Sequence, residues 1–357
     1  MLSNMLRRLA AAAAASAALL MFAAPLDAQE NRKGAANEFG RSQDDREGAL
    51  DSFVNPDTDD SAALLKILQQ EIYTNQQLLI TSQFRAEYGD RIQLKTVYFP
   101  SGEELIPGHV FRPRQMPAGQ RLPAVVMVHG GFHERLDTSW FHLIDSVVSQ
   151  GYVVIFPEYR GSRGYGDAIY QNDYGVTDVA DTVAAGRFIK TQSYVDPARL
   201  GILGQSRGGM ITLLAIEREP KLFQAAVDIV GLTDFVAYMS YKPDYRRKEV
   251  AETNPSFGGK LPNENLPAYI NVSPINFVDK IETPLLVLAT AGDKIAPYTL
   301  HTGRLLDALK ANGKTYEAKI YEDAPGGHVF MKAETPERDD AIRRIIDWLG
   351  RYLKIAR

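Results

Sequence analysis

The sequence predicts an α/β fold: a mostly parallel, twisted sheet with helices on both faces and a small cap insertion. Three observations carry that prediction. Val125-Val126-Met127-Val128 and Leu285-Leu286-Val287-Leu288 are unbroken apolar runs, the pattern of strands buried on both faces. Such runs alternate with stretches of helical periodicity, which calls for parallel strands joined by right-handed crossovers. Turn residues separate the two kinds of segment along most of the chain.

The elements follow in chain order. Residues 1–28 hold Arg7 and Arg8, an apolar stretch from Leu9 to Ala24, then Pro25 and a small residue at Ala28. That pattern reads as a secretory signal peptide, too short and too alanine-rich for a good membrane span. Cleavage after Ala28 is the preferred site and an uncleaved anchor the alternative. Export to a periplasmic or secreted location is expected, without stable membrane insertion once the signal is removed. Residues 29–60 are polar and aperiodic and read as a mobile leader. Residues 61–90 read as a helical extension packed outside the main domain, with Ser61 as N-cap and Leu64, Leu65, Leu68, Ile72, Leu78 and Leu79 at roughly helical spacing.

The main domain, 91–357, is expected to begin with strands at Gln93–Phe99, Leu105–Arg112, Ala124–His129 and Tyr152–Phe156. Later strands are read at Leu200–Gly204, Ala225–Val230, Leu285–Ala289 and Tyr316–Tyr321. Helices are read at Trp140–Gln150, Thr177–Thr191, Gly208–Glu217, Thr299–Ala311 and Arg338–Leu353. The interval 232–280 is longer than one crossover helix needs and carries Phe235, Tyr238, Tyr241, Tyr245 and Tyr269. It is either a cap beside a pocket or an outer connection whose aromatics pack on flanking helices.

Composition narrows the function classes. A net charge of -4 argues against a nucleic-acid groove, which needs a concentrated basic face. The dense basic run Arg246-Arg247-Lys248 reads as a solvated loop. The chain has no cysteine, so disulfides and thiolate metal sites are excluded. His129 and His133 have the i, i+4 spacing of a zinc pair, but the glycines between them argue against the helix such a pair needs, so no metal is expected. The glycine order in Arg160-Gly-Ser-Arg-Gly-Tyr-Gly is not that of a dinucleotide cradle, and no cofactor is expected.

The chemistry lies elsewhere. Gly204-Gln205-Ser206-Arg207-Gly208 sits between a strand-like run and a buried helix, the setting of a nucleophile elbow in an α/β-hydrolase fold. A serine hydroxyl needs a base in hydrogen-bond reach, itself held in one tautomer by an acid. Of six histidines, His328 lies in a loop after the last strand, where this fold places its base. Asp293 follows the strand Leu285–Ala289 and completes the chain order Ser, Asp, His; Asp234, after the preceding strand, is the runner-up. The backbone amides of Arg207 and of Gly130 or Gly131 are the candidate oxyanion donors.

Taken together, these motifs resemble the catalytic domain of the prolyl oligopeptidase family. The resemblance is carried by Val128-His-Gly-Gly, Pro157-Glu-Tyr-Arg-Gly-Ser-Arg-Gly-Tyr-Gly, Asp178-Val-Ala-Asp, Val195-Asp-Pro-Ala-Arg-Leu-Gly-Ile-Leu-Gly-Gln-Ser-Arg-Gly-Gly, Gly292-Asp-Lys-Ile-Ala-Pro and Gly327-His-Val-Phe, and spans about 91 to 354. It implies a serine peptidase that works through an acyl-enzyme on a small-molecule or short-peptide substrate. The region before Arg91 is too short for the family's β-propeller. Arg207 stands where family peptidases often carry an aromatic residue, and His129 where some dipeptidases use a tyrosine. A carboxylesterase on small or sugar-linked esters is therefore the alternative, and a hydrolase-fold binding protein without turnover is the alternative of another class. Nothing in the sequence sets the oligomeric state.

Overall fold

A computed structural model describes residues 61–116 and 119–353. The signal peptide and leader read at 1–60 lie outside the described residues. The chain divides into two compact units, 1–68 and 69–357; of the first, the described residues 61–68 are helical, and the second holds the sheet and its helices. No described helix is long and apolar enough to cross a membrane.

Eight strands form one sheet: β1 (Ile92–Ser101), β2 (Glu104–Pro113), β3 (Leu122–Val128), β4 (Val153–Pro157), β5 (Val195–Gln205), β6 (Ala225–Ile229), β7 (Leu285–Thr290) and β8 (Tyr316–Tyr321). Their order is β1-β2-β4-β3-β5-β6-β7-β8. β2 pairs antiparallel with both β1 and β4, and every other pair is parallel. The chain runs inward from the β1 edge through β2 to β3, steps back to fill the gap with β4, then restarts at β5 on the far side of β3 and grows toward the other edge. The reversal falls between β3 and β5, and in parallel sheets the crevice at the carboxyl ends of such a pair is where ligands bind.

The helices are α1 (Ser61–Tyr88), α2 (Phe141–Val148), α3 (Asp167–Tyr170), α4 (Thr177–Lys190), α5 (Arg207–Arg218), α6 (Phe235–Ser240), α7 (Asp244–Thr253), α8 (Leu266–Asn271), α9 (Thr302–Ala311) and α10 (Pro336–Leu353). Every residue of β3, β4, β6 and β7 is buried, as their unbroken apolar runs require. Alternate side chains go to opposite layers. Ala124, Val126 and Val128 of β3 join the core under α4, α5 and α9, while Val125 and Met127 join the core under α2 and α10. α10 buries Ala341, Ile342, Ile345, Trp348 and Leu349, a three-and-four spacing that puts one apolar stripe on the sheet. Burying each such large side chain contributes roughly 1.5–3 kcal/mol. Phe84 and Tyr88 at the end of α1 enter the same core, with Phe84 edge-on to Phe111 and Phe141.

Several boundaries differ from the sequence reading, each for a local reason. β5 begins at Val195 rather than Leu200, because Val195 already pairs with Leu122 across an irregularity in β3. The helix read from Trp140 is a short 3-10 turn, Thr138–Trp140, capped by Asp137, followed by α2. Arg246-Arg247-Lys248 is not a loop but part of α7, where Arg246 pairs with Glu249, Arg247 with Asp244 and Lys248 with Glu252. Pairing at helical spacing with nearby acids lets a basic run be helical.

Candidate active site

Ser206 sits on the sharp turn between β5 and α5, with φ 61° and ψ -120°. A non-glycine residue with positive φ is costly and persists only where its surroundings enforce it. Two glycines make room for the turn. A Cβ on Gly204 would lie 2.1 Å from the Gly208 carbonyl oxygen, and one on Gly208 would lie 2.2 Å from that of Val128. The N–H of Ser206 donates to the Ile229 carbonyl at 2.8 Å, fixing the turn to β6.

His328 follows β8 on a short 3-10 segment, Gly327–Lys332, entered through Gly326 and Gly327 at φ 90° and 53°. Its Nε2 lies 2.7 Å from Ser206 Oγ and its Nδ1 2.7 Å from Asp293 Oδ2. Asp293 follows β7, and its Oδ1 accepts the N–H groups of Ile295 and Ala296 at 2.7 and 2.8 Å. An ionised carboxylate can only accept, so Nδ1 carries the proton and Nε2 is free to accept from the serine hydroxyl. The side chain of Gln205 adds a bond to the His328 carbonyl at 3.3 Å. The three side chains named from the sequence are thus brought together at the carboxyl ends of β5, β7 and β8.

The runner-up acid is placed elsewhere. Asp234 caps α6 through the N–H of Ala237 and pairs with Arg304 at 2.5 Å. His301 accepts from the Thr233 N–H and meets the Tyr241 hydroxyl, and burial holds its pKa down at about 4. His133 is stacked face to face on Tyr170, with ring centroids 3.9 Å apart.

The loop after β3 faces Ser206 from the other side of the reversal point. A Cβ on Gly130 would lie 3.0 Å from Ser206 Cβ, so only glycine lets the main chain come this close. Gly131 has φ 70°. Arg207 is the first residue of α5, so its N–H has no carbonyl partner within the helix. Behind the loop, buried side chains hold its carbonyls. Tyr159 donates to the His129 carbonyl at 2.9 Å, and His129 Nδ1 donates to that of Gly130 at 2.9 Å. That bond fixes the tautomer, so His129 Nε2 accepts from Ser162 at 2.9 Å. Burial lowers the His129 pKa in spite of the nearby Glu158, and the ring stays neutral. In a trans peptide the N–H points opposite to its carbonyl. The Gly131 N–H therefore points away from the His129 ring that holds the Gly130 carbonyl.

The sequence reading named Arg207 for its backbone alone. Its side chain is buried at 2% exposure and pairs with the fully buried Asp178 through Nε and Nη2 at 3.1 and 2.7 Å. Its Nη1 reaches the carbonyls of Gly131 and Phe132 at 3.3 and 3.0 Å, and the guanidinium lies 3.8 Å from the Tyr174 ring centroid. Burial works against the charge, yet the Asp178 carboxylate paired with it keeps it protonated. The signal was present in the departure at Arg207 and in Asp178-Val-Ala-Asp, but 29 residues separate the partners.

A cavity of about 190 Å³ opens on Ser206 and His328. Phe132, Tyr174, Leu232, Tyr238, Ile295 and Val329 make its apolar wall, and Glu134 and Lys332 its polar rim. Leu232 and Tyr238 come from the interval read as cap or outer connection. Elsewhere in the interval Phe257 stacks on Tyr269 at 4.1 Å with both fully buried, Phe235 packs on Tyr174, Tyr241 meets His301, and Tyr245 is exposed.

Beneath the elbow, Asp228 of β6 is fully buried, with no charged group paired to it and only the Gly231 backbone N–H beside its carboxyl. Desolvation raises its pKa from 3.8 to about 7. Across that window the folded protein keeps a proton that the unfolded chain releases, so stability falls as pH rises from about 4 to about 7, by up to about 1.4 kcal/mol per pH unit. Asp228→Asn keeps the shape without the ionisation. Melting temperatures measured over this range are expected to fall less steeply with pH in the variant than in the wild type; identical slopes would refute this account of Asp228.

Comparisons with known proteins agree with the geometry. The family model described as the prolyl oligopeptidase family matches residues 138–356. An uncharacterized peptidase of Bacillus subtilis, YuxL, is 26% identical over 323 residues, covering 89% of this chain and 47% of that protein. The acylamino-acid-releasing enzyme of Mus musculus is 26% identical over 250 residues, 68% of this chain and 33% of that enzyme. Among solved structures, an acylaminoacyl peptidase of Pyrococcus horikoshii superposes with TM-score 0.65 at 22% identity, covering 75% of this chain and 42% of that one. A puromycin-hydrolyzing peptidase of Mycobacterium tuberculosis gives TM-score 0.61 at 27% identity, covering 74% and 40%. The chain spans less than half the length of these proteins. A family match over 138–356, on an eight-stranded sheet of this topology, means that the chain belongs to the prolyl oligopeptidase family.

Proposed function

We propose that the protein is a serine peptidase acting on short or acylated peptides through an acyl-enzyme. The observation that carries this reading is the relay of two 2.7 Å hydrogen bonds, Asp293 to His328 to Ser206, beside the start of α5 and a glycine loop whose backbone comes close to Ser206. In this reading Ser206 Oγ attacks the carbonyl while His328 Nε2 takes its proton, and Asp293 stabilises the imidazolium that forms. The oxyanion is held by the N–H of Arg207 and one from Gly130–Gly131. His328 returns the proton to the leaving group, and water, activated by the same imidazole, releases the acid.

The cavity supports a small acyl side. With a volume of about 190 Å³, it has room for an apolar side chain or acyl group. Its aromatic and aliphatic wall favours an apolar group there. Export, supported by the pattern at 1–28, is part of the same proposal.

The test compares N-acyl-aminoacyl anilides and aminoacyl-prolyl amides with acetyl and aryl esters, on wild-type protein shown to be active-site labelled by a fluorophosphonate. The expected result is labelling and cleavage of amides with an apolar residue on the acyl side. Ester hydrolysis with no amide cleavage would leave a carboxylesterase. A wild-type protein that does not label would leave a binding protein.

A further inference from the structure

We infer that the Arg207 side chain is a positioning residue for the oxyanion site: held by Asp178, it grips the loop after β3 so that one residue supplies one donor from its main chain and fixes the loop that supplies the other. The inference rests on the serine-hydrolase reading above and goes beyond the backbone role given to Arg207 there.

The argument starts from Gly131. Its left-handed backbone lies between two peptide groups, and each is gripped through its carbonyl. The 130–131 peptide is held by His129 through the Gly130 carbonyl, and the 131–132 peptide by Arg207 through the Gly131 carbonyl. The next carbonyl, that of Phe132, is also bonded to Arg207 Nη1. Glycine has no side chain to restrict its own rotation, so a loop of two glycines keeps one geometry only if its neighbours impose it. The guanidinium is itself fixed on three sides, by Asp178 through two nitrogens, by the ring of Tyr174 and by that of Tyr159 at 5.2 Å. Planar and delocalised, it can hold a carboxylate and carbonyls in one plane, which an ammonium cannot. Oxyanion donors act by being aimed before the charge develops, so loosening the loop lowers the rate more than it weakens binding to an apolar wall in which Phe132 and Tyr174 still pack on each other.

Removing Arg207 alone leaves the Asp178 carboxylate buried and unpaired, which threatens the fold itself. The test therefore uses Arg207→Met/Asp178→Leu, which replaces the pair with apolar side chains and keeps the main-chain N–H at 207, alongside Arg207→Lys. Three readings are taken on each: p-nitrophenyl acetate hydrolysis, affinity for an acyl-aminoacyl trifluoromethyl ketone, whose adduct carries the oxyanion, and the melting temperature. In the folded double variant kcat is expected to fall about 10²-fold, and ketone affinity by a similar factor. KM should change less than about threefold. Arg207→Lys should give an intermediate loss, and decides the matter if the double variant does not fold. A folded variant with wild-type kcat overturns the inference, and so does a lower kcat with undiminished ketone affinity. Failure of the underlying reading looks different, since the wild type itself then neither labels with fluorophosphonate nor turns over.

Discussion

Ser206→Ala is expected to fold normally, to take up no fluorophosphonate and to hydrolyse p-nitrophenyl acetate about 10⁶-fold more slowly than the wild type. The size of the loss follows from the way the three side chains act as one unit. Without Oγ, the imidazole has no proton to accept, the acid has no imidazolium to stabilise and no acyl-enzyme can form. What remains is slow attack by water beside aimed N–H groups. Folding should survive because alanine meets the same backbone requirement at φ 61°, and the lost atom faces the cavity rather than the core. Circular dichroism and melting temperature check the fold, and single-turnover kinetics the rate. Hydrolysis at the wild-type rate in this variant would remove Ser206 from the mechanism and the peptidase proposal with it.

Asp293→Asn is expected to lower kcat about 10⁴-fold while leaving the fold and KM nearly unchanged. The structure supplies the reason. Asp293 Oδ1 receives two N–H groups, from Ile295 and Ala296, and in the variant only the amide oxygen can sit there. The amide NH₂ must then face His328 Nδ1 and turn it into an acceptor. The ring proton moves to Nε2, where it points at Ser206 Oγ and leaves nothing to take the serine proton. Asp234→Asn is the control, because that carboxylate serves α6 and Arg304 instead. If Asp234→Asn abolished turnover and Asp293→Asn did not, the assignment of the acid would be reversed.

Much of the sheet was legible because its central strands are buried on both faces, and that burial leaves an unbroken apolar run such as Leu122–Val128. The place of Ser206 was equally visible, since Gly204 and Gly208 are demanded by contacts under 2.3 Å that no side chain could survive. What the sequence hid depends on contacts between distant segments. Val195 reads as the end of a loop, followed as it is by Asp196 and Pro197, and becomes strand only by meeting Leu122. Arg207 reads as a polar residue at a helix start. Only the folded chain shows Asp178 and Tyr174 waiting for its guanidinium and the loop carbonyls at its tip. Asp228 reads as an ordinary strand residue, because local sequence does not say whether a carboxylate will be fully desolvated with no cation beside it.

The sheet order sets unequal anchorage for the two reacting groups. The elbow hangs from β5, which has a hydrogen-bonded neighbour on each side, whereas the histidine loop leaves β8, the last strand of the sheet, which has β7 alone. Local opening costs least where a segment has few neighbours, and β8, like β1, is paired on one side only. As the molecule starts to fray at that margin, the imidazole drifts off first, and the hydroxyl remains seated but inert. On heating, activity is therefore expected to be lost before the circular dichroism of the sheet, and simultaneous loss of both would contradict this.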